Sequence, residues 1–332
     1  MSGNKPLVSI IVPSYNHEKY IEYCLNSIIA QTYDNIELFI IDDASKDNSF
    51  EVAKKLESKL KQRFPKVYLE KHEENHGLCR TLNETIPLTN GKYLAIFASD
   101  DYMFPERIEK QVIEMEKPEN TNVAFCHSGY ATMDENNDLI SGPVVLQPNE
   151  ANCTNKDKIL KIFRDGNYLC APTFFWNSII LKTMLPYDED VILEDFFMQI
   201  KTFENGFANI YIYDTLVLYR VFSLNTLKRY PEKHILNYLK ILSSFKRFCV
   251  DNLILAEYYL AIHNFIMLHF HTFNYEKWKT VLEEFSLPQD LLCKKNKKFS
   301  KSYIKEIIKF FIPYGIIKLR YKLTKKNENT SS

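Results

Sequence analysis

GKYLAIFASDDYMFPERI, residues 91–108, is apolar from Tyr93 to Ala98 and then turns abruptly to Ser99, Asp100 and Asp101. A short run that is apolar on both faces fits a strand buried inside a parallel sheet. Pro105, a favoured first-turn residue, opens the helix that follows. Two carboxylates at the mouth of a buried strand repel each other, and burying either is costly without a partner. Something positive is expected there.

The same pattern repeats towards the N-terminus. LVSIIV (7–12) is a β-branched run that stops at Pro13, and IELFII (36–41) is a second buried strand that ends at Asp42-Asp43. KVYLEK (66–71) reads as a third. Between them, Ile21, Cys24, Leu25, Ile28 and Ile29 recur at helical spacing, and Val52, Leu56 and Leu60 do the same behind the capping residues Asp47, Asn48 and Ser49. A further helix is expected from about Leu78 to Ile86. Strands alternating with helices predict an α/β fold: a Rossmann-like, mostly parallel sheet with helices on both faces. Ligands of such sheets sit beyond the carboxyl ends of the strands. Pro13-Ser14-Tyr15-Asn16, Asp42-Asp43 and Ser99-Asp100-Asp101 all fall there.

Beyond about residue 120 the alternation weakens. VAFCHSGYATM (123–133), APTFFWNSIIL (171–181) and NIYIYDTLVLYRVF (209–222) read as strands, and EDFFMQIKTF (194–203) as a helix that opens on two acids. From Pro231 the pattern is helical, CKKNKKFSKS (293–302) is a basic linker, and an amphipathic segment ends the chain. The expected organisation is a domain over 1–225 (in two parts, 1–101 and 102–225), a helical extension over 226–292 and a basic tail over 293–332.

Bulk properties narrow the function. The chain has 332 residues, 45% hydrophobic and 25% charged, which is ordinary globular composition. Its formal charge is zero, yet residues 294–332 hold twelve Lys/Arg against two Glu, so an acidic body carries a basic tail. Seven scattered cysteines without a C-x-x-C, and an N-terminus unlike a signal peptide, point to a reducing, cytoplasmic setting. No run is long enough for a transmembrane helix. The eight histidines show no zinc spacing, and only 8 glycines argue against a glycine-rich phosphate cradle. Four carboxylates at one sheet edge repel unless hydrogen-bond donors or a cation intervene, and a hard divalent ion with oxygen ligands, Mg2+ or Mn2+, joined to an anionic phosphate, fits.

Taken in order, VSIIVPSYNHEKYIEYCLNSIIAQTYDNIELFIIDDASKDNS, ENHGLCRTLNETI and GKYLAIFASDDYMFPERIEKQV closely resemble the family 2 glycosyltransferases of the GT-A fold, over roughly 7–225. The resemblance implies a nucleotide-sugar donor, a divalent metal and inversion at the sugar carbon. By that resemblance Pro13, Tyr15 and Asn16 line the base and ribose pocket, with Tyr15 stacking on a pyrimidine. Asp43 would accept the base N–H, which favours uridine, and Asp42 would orient the loop. Asp100 would contact ribose and Asp101 ligate the metal. Asn75 and Gly77 match the Asn-x-Gly stretch, and Asn83 a helix residue. Relatives commonly place Arg directly before that Asn; here Leu82 stands there and Arg80 lies two residues earlier, leaving its reach to the diphosphate open. VILEDFFMQI resembles the Glu-Asp motif, making Asp195, beside Glu194, the base that deprotonates an acceptor hydroxyl. In LYRVFSLNTLK, Tyr219, Arg220, Asn225 and Thr226 fit a family pattern, but Phe222 replaces its His, leaving Arg220 as the anion partner. The Gln-x-x-Arg-Trp motif of processive synthases is absent, so transfer of a single sugar is expected. His127 and Trp176 are candidates for lining the acceptor pocket.

The expected activity is transfer of one sugar, from a UDP-sugar, onto a glycan or lipid-linked acceptor in surface polysaccharide biosynthesis. The alternative is a catalytically silent relative that binds a nucleotide-sugar or acts as a scaffold. A dinucleotide oxidoreductase lacks its G-x-G-x-x-G, and a sugar-nucleotide pyrophosphorylase its Gly-rich opening loop. Nucleic acid is excluded as a partner by the acidic body and the lack of a binding motif. Residues 294–326 read equally as a peripheral contact with the inner face of the cytoplasmic membrane or as a helix packed on the body.

Overall fold

The computed structural model describes residues 5–148, 154–222 and 231–292. The basic tail and residues 223–230, with Asn225 and Thr226, lie outside the described residues. Four strands open the fold: β1 (Val8–Ser14), β2 (Ile36–Asp42), β3 (Lys66–Lys71) and β4 (Tyr93–Ile96). They pair in parallel in the order β3-β2-β1-β4. Between them run α1 (Ile21–Ile29), α2 (Ser49–Arg63) and α3 (Leu78–Thr85). Val8, Ile10 and Val12 join one core with Ile21, Cys24, Leu25 and Ile28 of α1. By strand alternation, the equally buried Ile11 serves the opposite face. Each fully buried aliphatic side chain contributes about 1.5–3 kcal/mol.

One polar group inside this layer is structural. Glu37 of β2 is buried, and its Oε1 accepts from Ser9 Oγ (2.6 Å), Asn90 N (2.5 Å) and Gly91 N (3.2 Å), while Lys66 Nζ lies 3.2 Å from Oε2. The carboxylate therefore ties β1, β2 and β3 to the entry of β4. Gly91 leaves room for that tie: a Cβ there would stand 2.5 Å from the Ser9 nitrogen.

The rest of the sheet is mixed rather than parallel. β5 (Tyr102–Met103), β6 (Val123–Met133), β7 (Leu139–Val144), β8 (Phe175–Asn177) and β9 (Ala208–Arg220) complete a nine-stranded order β3-β2-β1-β4-β8-β6-β9-β5, with β7 on β6. β8 runs antiparallel to both β4 and β6, and β5 antiparallel to β9. The stretch 171–181, expected as one strand, breaks into a 3-10 turn, the short β8 and a helix over Ser178–Thr183. The cause is Asn177, whose side-chain oxygen accepts from Ile179 N and Ile180 N and so starts a helix. Three more helices follow: α4 (Arg107–Met115), α5 (Asn155–Asp165), whose residues are divided between the two units described next, and, counting the Ser178–Thr183 helix as α6, α7 (Glu194–Glu204).

The chain divides into two compact units. The sheet unit holds residues up to Ile159 and from Asn167 through β9; the other holds Leu160–Gly166 and the described residues from 231. In the second, α8 (Pro231–Ser244), α9 (Lys246–Asp251), α10 (Leu255–Leu268) and α11 (Tyr275–Glu284) pack around aromatic rings. Tyr238 stacks on Phe265 at 4.0 Å, and the buried Trp278 meets Phe273 edge-on at 5.0 Å. Among the described residues no helix is long and apolar enough to cross a membrane.

Candidate active site

The carboxyl ends of β2, β1 and β4 are neighbours in the sheet, so their polar loops share one edge. Ser14 pairs with Asp42 in register, and its carbonyl accepts from Asp43 N at 2.8 Å. Past β1, Asn16 adopts a left-handed φ of 56°, which Asn tolerates better than most residues. Its backbone N–H donates to Ser45 Oγ (2.9 Å), and its Oδ1 accepts from Lys46 N (2.8 Å). Those bonds staple the loop after β1 to the loop after β2. Asp42 is buried; its Oδ1 accepts from Ser45 N at 2.8 Å, and Oδ2 has no hydrogen-bond partner. Tyr15 is 41% exposed and presents its ring at this edge, while Pro13 sits within β1 opposite Ile41.

Asp43 is the hub of the second loop. Its Oδ1 accepts from His76 N (2.8 Å) and meets His72 Nδ1 (2.8 Å); its Oδ2 accepts from Gly77 N (2.8 Å). Asn75 Nδ2 donates to the Asp43 carbonyl at 3.0 Å. Gly77 reaches this position with φ at 81°, a region a side chain disfavours. Asn75 and Gly77 thus act on Asp43 itself. Arg80 Nε donates to Glu84 Oε1 at 2.9 Å on the exposed side of α3, an engagement the sequence did not reveal.

At β4 the acidic pair is asymmetric. Asp101 is buried; its Oδ1 accepts from Arg220 N at 2.8 Å, and its Oδ2 has no partner. Desolvation first, then the Asp100 charge beside it, hold the Asp101 carboxyl well above the usual range. Arg220 is buried too: Nε donates to the Asp100 carbonyl (2.7 Å), Nη1 to the Asp134 carbonyl and Nη2 to Asn137 Oδ1 (2.6 Å). Its guanidinium also covers the Tyr20 ring at 4.4 Å, and Phe222 meets that ring edge-on at 5.5 Å. These contacts give Arg220 a structural office that its expected role as anion partner did not include. His17 bridges the pair to the first loop: Nδ1 lies 2.8 Å from Ser99 Oγ and Nε2 3.8 Å from Asp100 Oδ2.

Asp195 stands in the first turn of α7, where Asn167 Nδ2 donates to its Oδ2 at 2.7 Å and Gln199 in turn donates to Asn167 Oδ1 at 2.9 Å. The loop before α7 is tied to α3 by Asn83, which donates to the Tyr187 carbonyl (3.0 Å) and accepts from Tyr187 N (2.7 Å). Desolvation raises the Asp195 carboxyl, and desolvation with the Asp195 charge pushes Glu194 up to about 8. Two groups stand within electrostatic reach of both Asp101 and Asp195. Burial, then Asp101 and Asp195, raise the Cys170 thiol. Desolvation, then Asp101, Cys170, Asp100 and Asp195, raise the Tyr219 hydroxyl, although that side chain is 39% exposed overall. His17, Asn167 and Cys170 were not singled out from sequence; only His17, directly after PSYN, carried a positional signal.

The acceptor candidates are corrected. Trp176 and His127 are both buried in the sheet core. Trp176 packs on Phe125 at 4.6 Å, and His127 Nε2 lies 3.0 Å from Asn209 Nδ2. Burial, then the Lys158 charge, drop His127 to about 3, so it is neutral.

The donor set at Asp101 fits a hard dication. A buried, desolvated carboxylate oxygen without a partner is costly, and a divalent ion with oxygen ligands removes that cost. The family model described as glycosyl transferase family 2 matches residues 9–177. The chain belongs to that family. It is a glycosyltransferase, and the GT-A expectation for the fold agrees with its structural neighbours. EpsH of Bacillus subtilis, named as a glycosyltransferase, is 28% identical over 83% of this chain and 78% of its own length. TuaG of the same organism, named for teichuronic acid biosynthesis, is 37% identical over 40% of this chain and 50% of its own length. Among solved structures, S. aureus TarS 1–349 in complex with UDP superposes with a TM-score of 0.59 at 20% identity, covering 84% of this chain and 80% of that one. The mannosyltransferase PcManGT from Pyrobaculum calidifontis, in complex with GDP-Man and Mn2+, gives 0.56 at 15% identity over 92% and 84%. Family 2 relatives thus include proteins named for polysaccharide biosynthesis.

Proposed function

We propose that the chain is an inverting, metal-dependent transferase that moves one sugar from a UDP-sugar onto a glycan or lipid-linked acceptor in surface polysaccharide biosynthesis. The observation that carries this reading is the buried, unpartnered Oδ2 of Asp101 in the loop that follows β4. The TarS complexes with UDP and UDP-GlcNAc support a uridine donor. The exposed Tyr15 ring is suited to stack on a pyrimidine.

In this reading Asp101 holds the Mn2+ or Mg2+, with Asp100 beside it on the ribose. A dication bound there supplies Lewis-acid stabilisation of the charge that grows on the leaving diphosphate. Asp195, oriented by Asn167, takes the proton of the acceptor hydroxyl as that oxygen attacks the anomeric carbon from the face opposite the diphosphate. Attack from that face inverts the configuration. A carboxylate raised towards neutrality by desolvation is a better proton acceptor than one in water. Residues 1–101 would serve the donor and 102–225 the acceptor, with 226–292 as a helical extension. The basic segment 294–326 would bring the enzyme to the inner membrane face, where a lipid-linked acceptor resides.

The test is release of UDP from UDP-sugars with Mn2+ or Mg2+ and after chelation. Metal-dependent release that Asp101→Ala abolishes is the expected result. Release that survives both chelation and this substitution overturns the metal assignment.

A further inference from the structure

A second cluster of ligating atoms joins the loop between β3 and α3 to Glu84 of α3, and includes neither Asp100 nor Asp101. His72 Nε2 stands 3.7 Å from Glu84 Oε2, and His76 Nδ1 stands 3.2 Å from the same oxygen. The two imidazoles stack at 4.4 Å. One ligand atom from each of Asp43, His72 and His76 falls within 4.8 Å of the others. Ligands held about 2.0–2.1 Å from a tetrahedral ion stand roughly 3.3 Å apart. The two distances to Glu84 straddle that spacing.

Hydrogen bonding on the outer side of the cluster has the same meaning. His72 Nδ1 lies 2.8 Å from Asp43 Oδ1, an arrangement in which the ring donates its N–H to the carboxylate. The Nε2 lone pair then faces Glu84 Oε2, so acceptor faces acceptor unless a cation or a second proton lies between. Carboxylate–imidazole pairs of this kind orient metal-ligating histidines. Glu84 is braced likewise: its Oε1 accepts from Arg80 Nε at 2.9 Å. A concavity of about 660 Å3, lined by Glu70, Lys71, His72, Glu73, Glu74 and His76, opens beside the cluster. Its three glutamates against one lysine favour entry of a cation.

We propose that His72, His76 and Glu84 form a second metal site, separate from Asp101, that takes a borderline transition-metal dication such as Zn2+. Two imidazole nitrogens and one carboxylate oxygen match Zn2+ better than Mg2+, which prefers oxygen alone. Bound there, the ion pins the 72–77 loop against α3 and fixes Asp43 through His72. The site sets the order of the donor pocket without taking part in the transfer.

The test uses the full chain, stripped with a chelator and titrated with Co2+ or Zn2+ alone, without nucleotide. One equivalent of Co2+ is expected to give a visible d–d band with no thiolate charge-transfer band. Zn2+ should displace it and raise the melting temperature. Asp101→Ala should retain that equivalent, while His76→Ala and Glu84→Gln, made separately, should each lose Zn2+ affinity by more than about 100-fold. Asp43→Asn, which touches no ion directly, should weaken it about 10- to 100-fold. Unchanged Zn2+ affinity in both His76→Ala and Glu84→Gln overturns the site. So does a thiolate band, which places the ion on cysteine, and so does the absence of any bound equivalent.

Discussion

The assignment of Asp195 is tested most directly by a substitution that keeps its shape and removes its basicity. Asp195→Asn should lower kcat by about 100- to 10,000-fold with donor affinity unchanged, as measured by steady-state transfer and by calorimetric titration of UDP. Wild-type kcat would move the base elsewhere. Its neighbour makes a pH prediction. Glu194 is raised from 4.5 to about 8, so the folded chain keeps a proton that the unfolded chain has released, and stability falls as pH rises through that window. Glu194→Gln should flatten this dependence and stabilise the protein at pH 8 but not at pH 4, read from melts at both values. Both acids were legible in the sequence through their motif. What it did not carry was the company they keep: Asn167, which holds Asp195, belongs to no motif, and Arg80 was visible only as a displaced cation until its bond to Glu84 placed it.

Strands and helices are where local pattern and global structure agree best. β1, β2 and β4 were readable because each is buried on both faces and leaves a continuous apolar run. β8 was hidden because three residues cannot display a period, and because Asn177 starts a helix inside an aromatic stretch. Backbone approach was equally invisible. A Cβ on Gly91 would meet Ser9 N at 2.5 Å and Tyr93 O at 2.6 Å, whereas one on Gly142 meets nothing within 4 Å. Gly91→Ala should therefore cost about 1–3 kcal/mol in urea unfolding. Gly142→Ala should change stability by less than about 0.5 kcal/mol. Equal effects of the two would show that the turn before β4 gives way more easily than its contacts imply.

For the whole molecule, charge asymmetry is the property that reaches furthest. Twelve Lys/Arg lie in residues 294–332 of a chain whose net charge is zero. Each cation near an anionic leaflet contributes about 1 kcal/mol. The full chain should pellet with anionic liposomes at low salt and be released by high salt, and a chain ending at 292 should stay in the supernatant. Equal pelleting of both would reject the membrane role of the tail. Inside the sheet unit, Arg220 has a consequence of its own. Its backbone holds the carboxylate of Asp101 while its guanidinium grips the hairpin turn at Asp134 and Asn137. That turn is remote in sequence from every motif of the site, yet Arg220 connects it mechanically to Asp101. Natural or engineered changes at the hairpin tip would therefore act as a tuning screw, altering ion affinity while each reacting group stays in place.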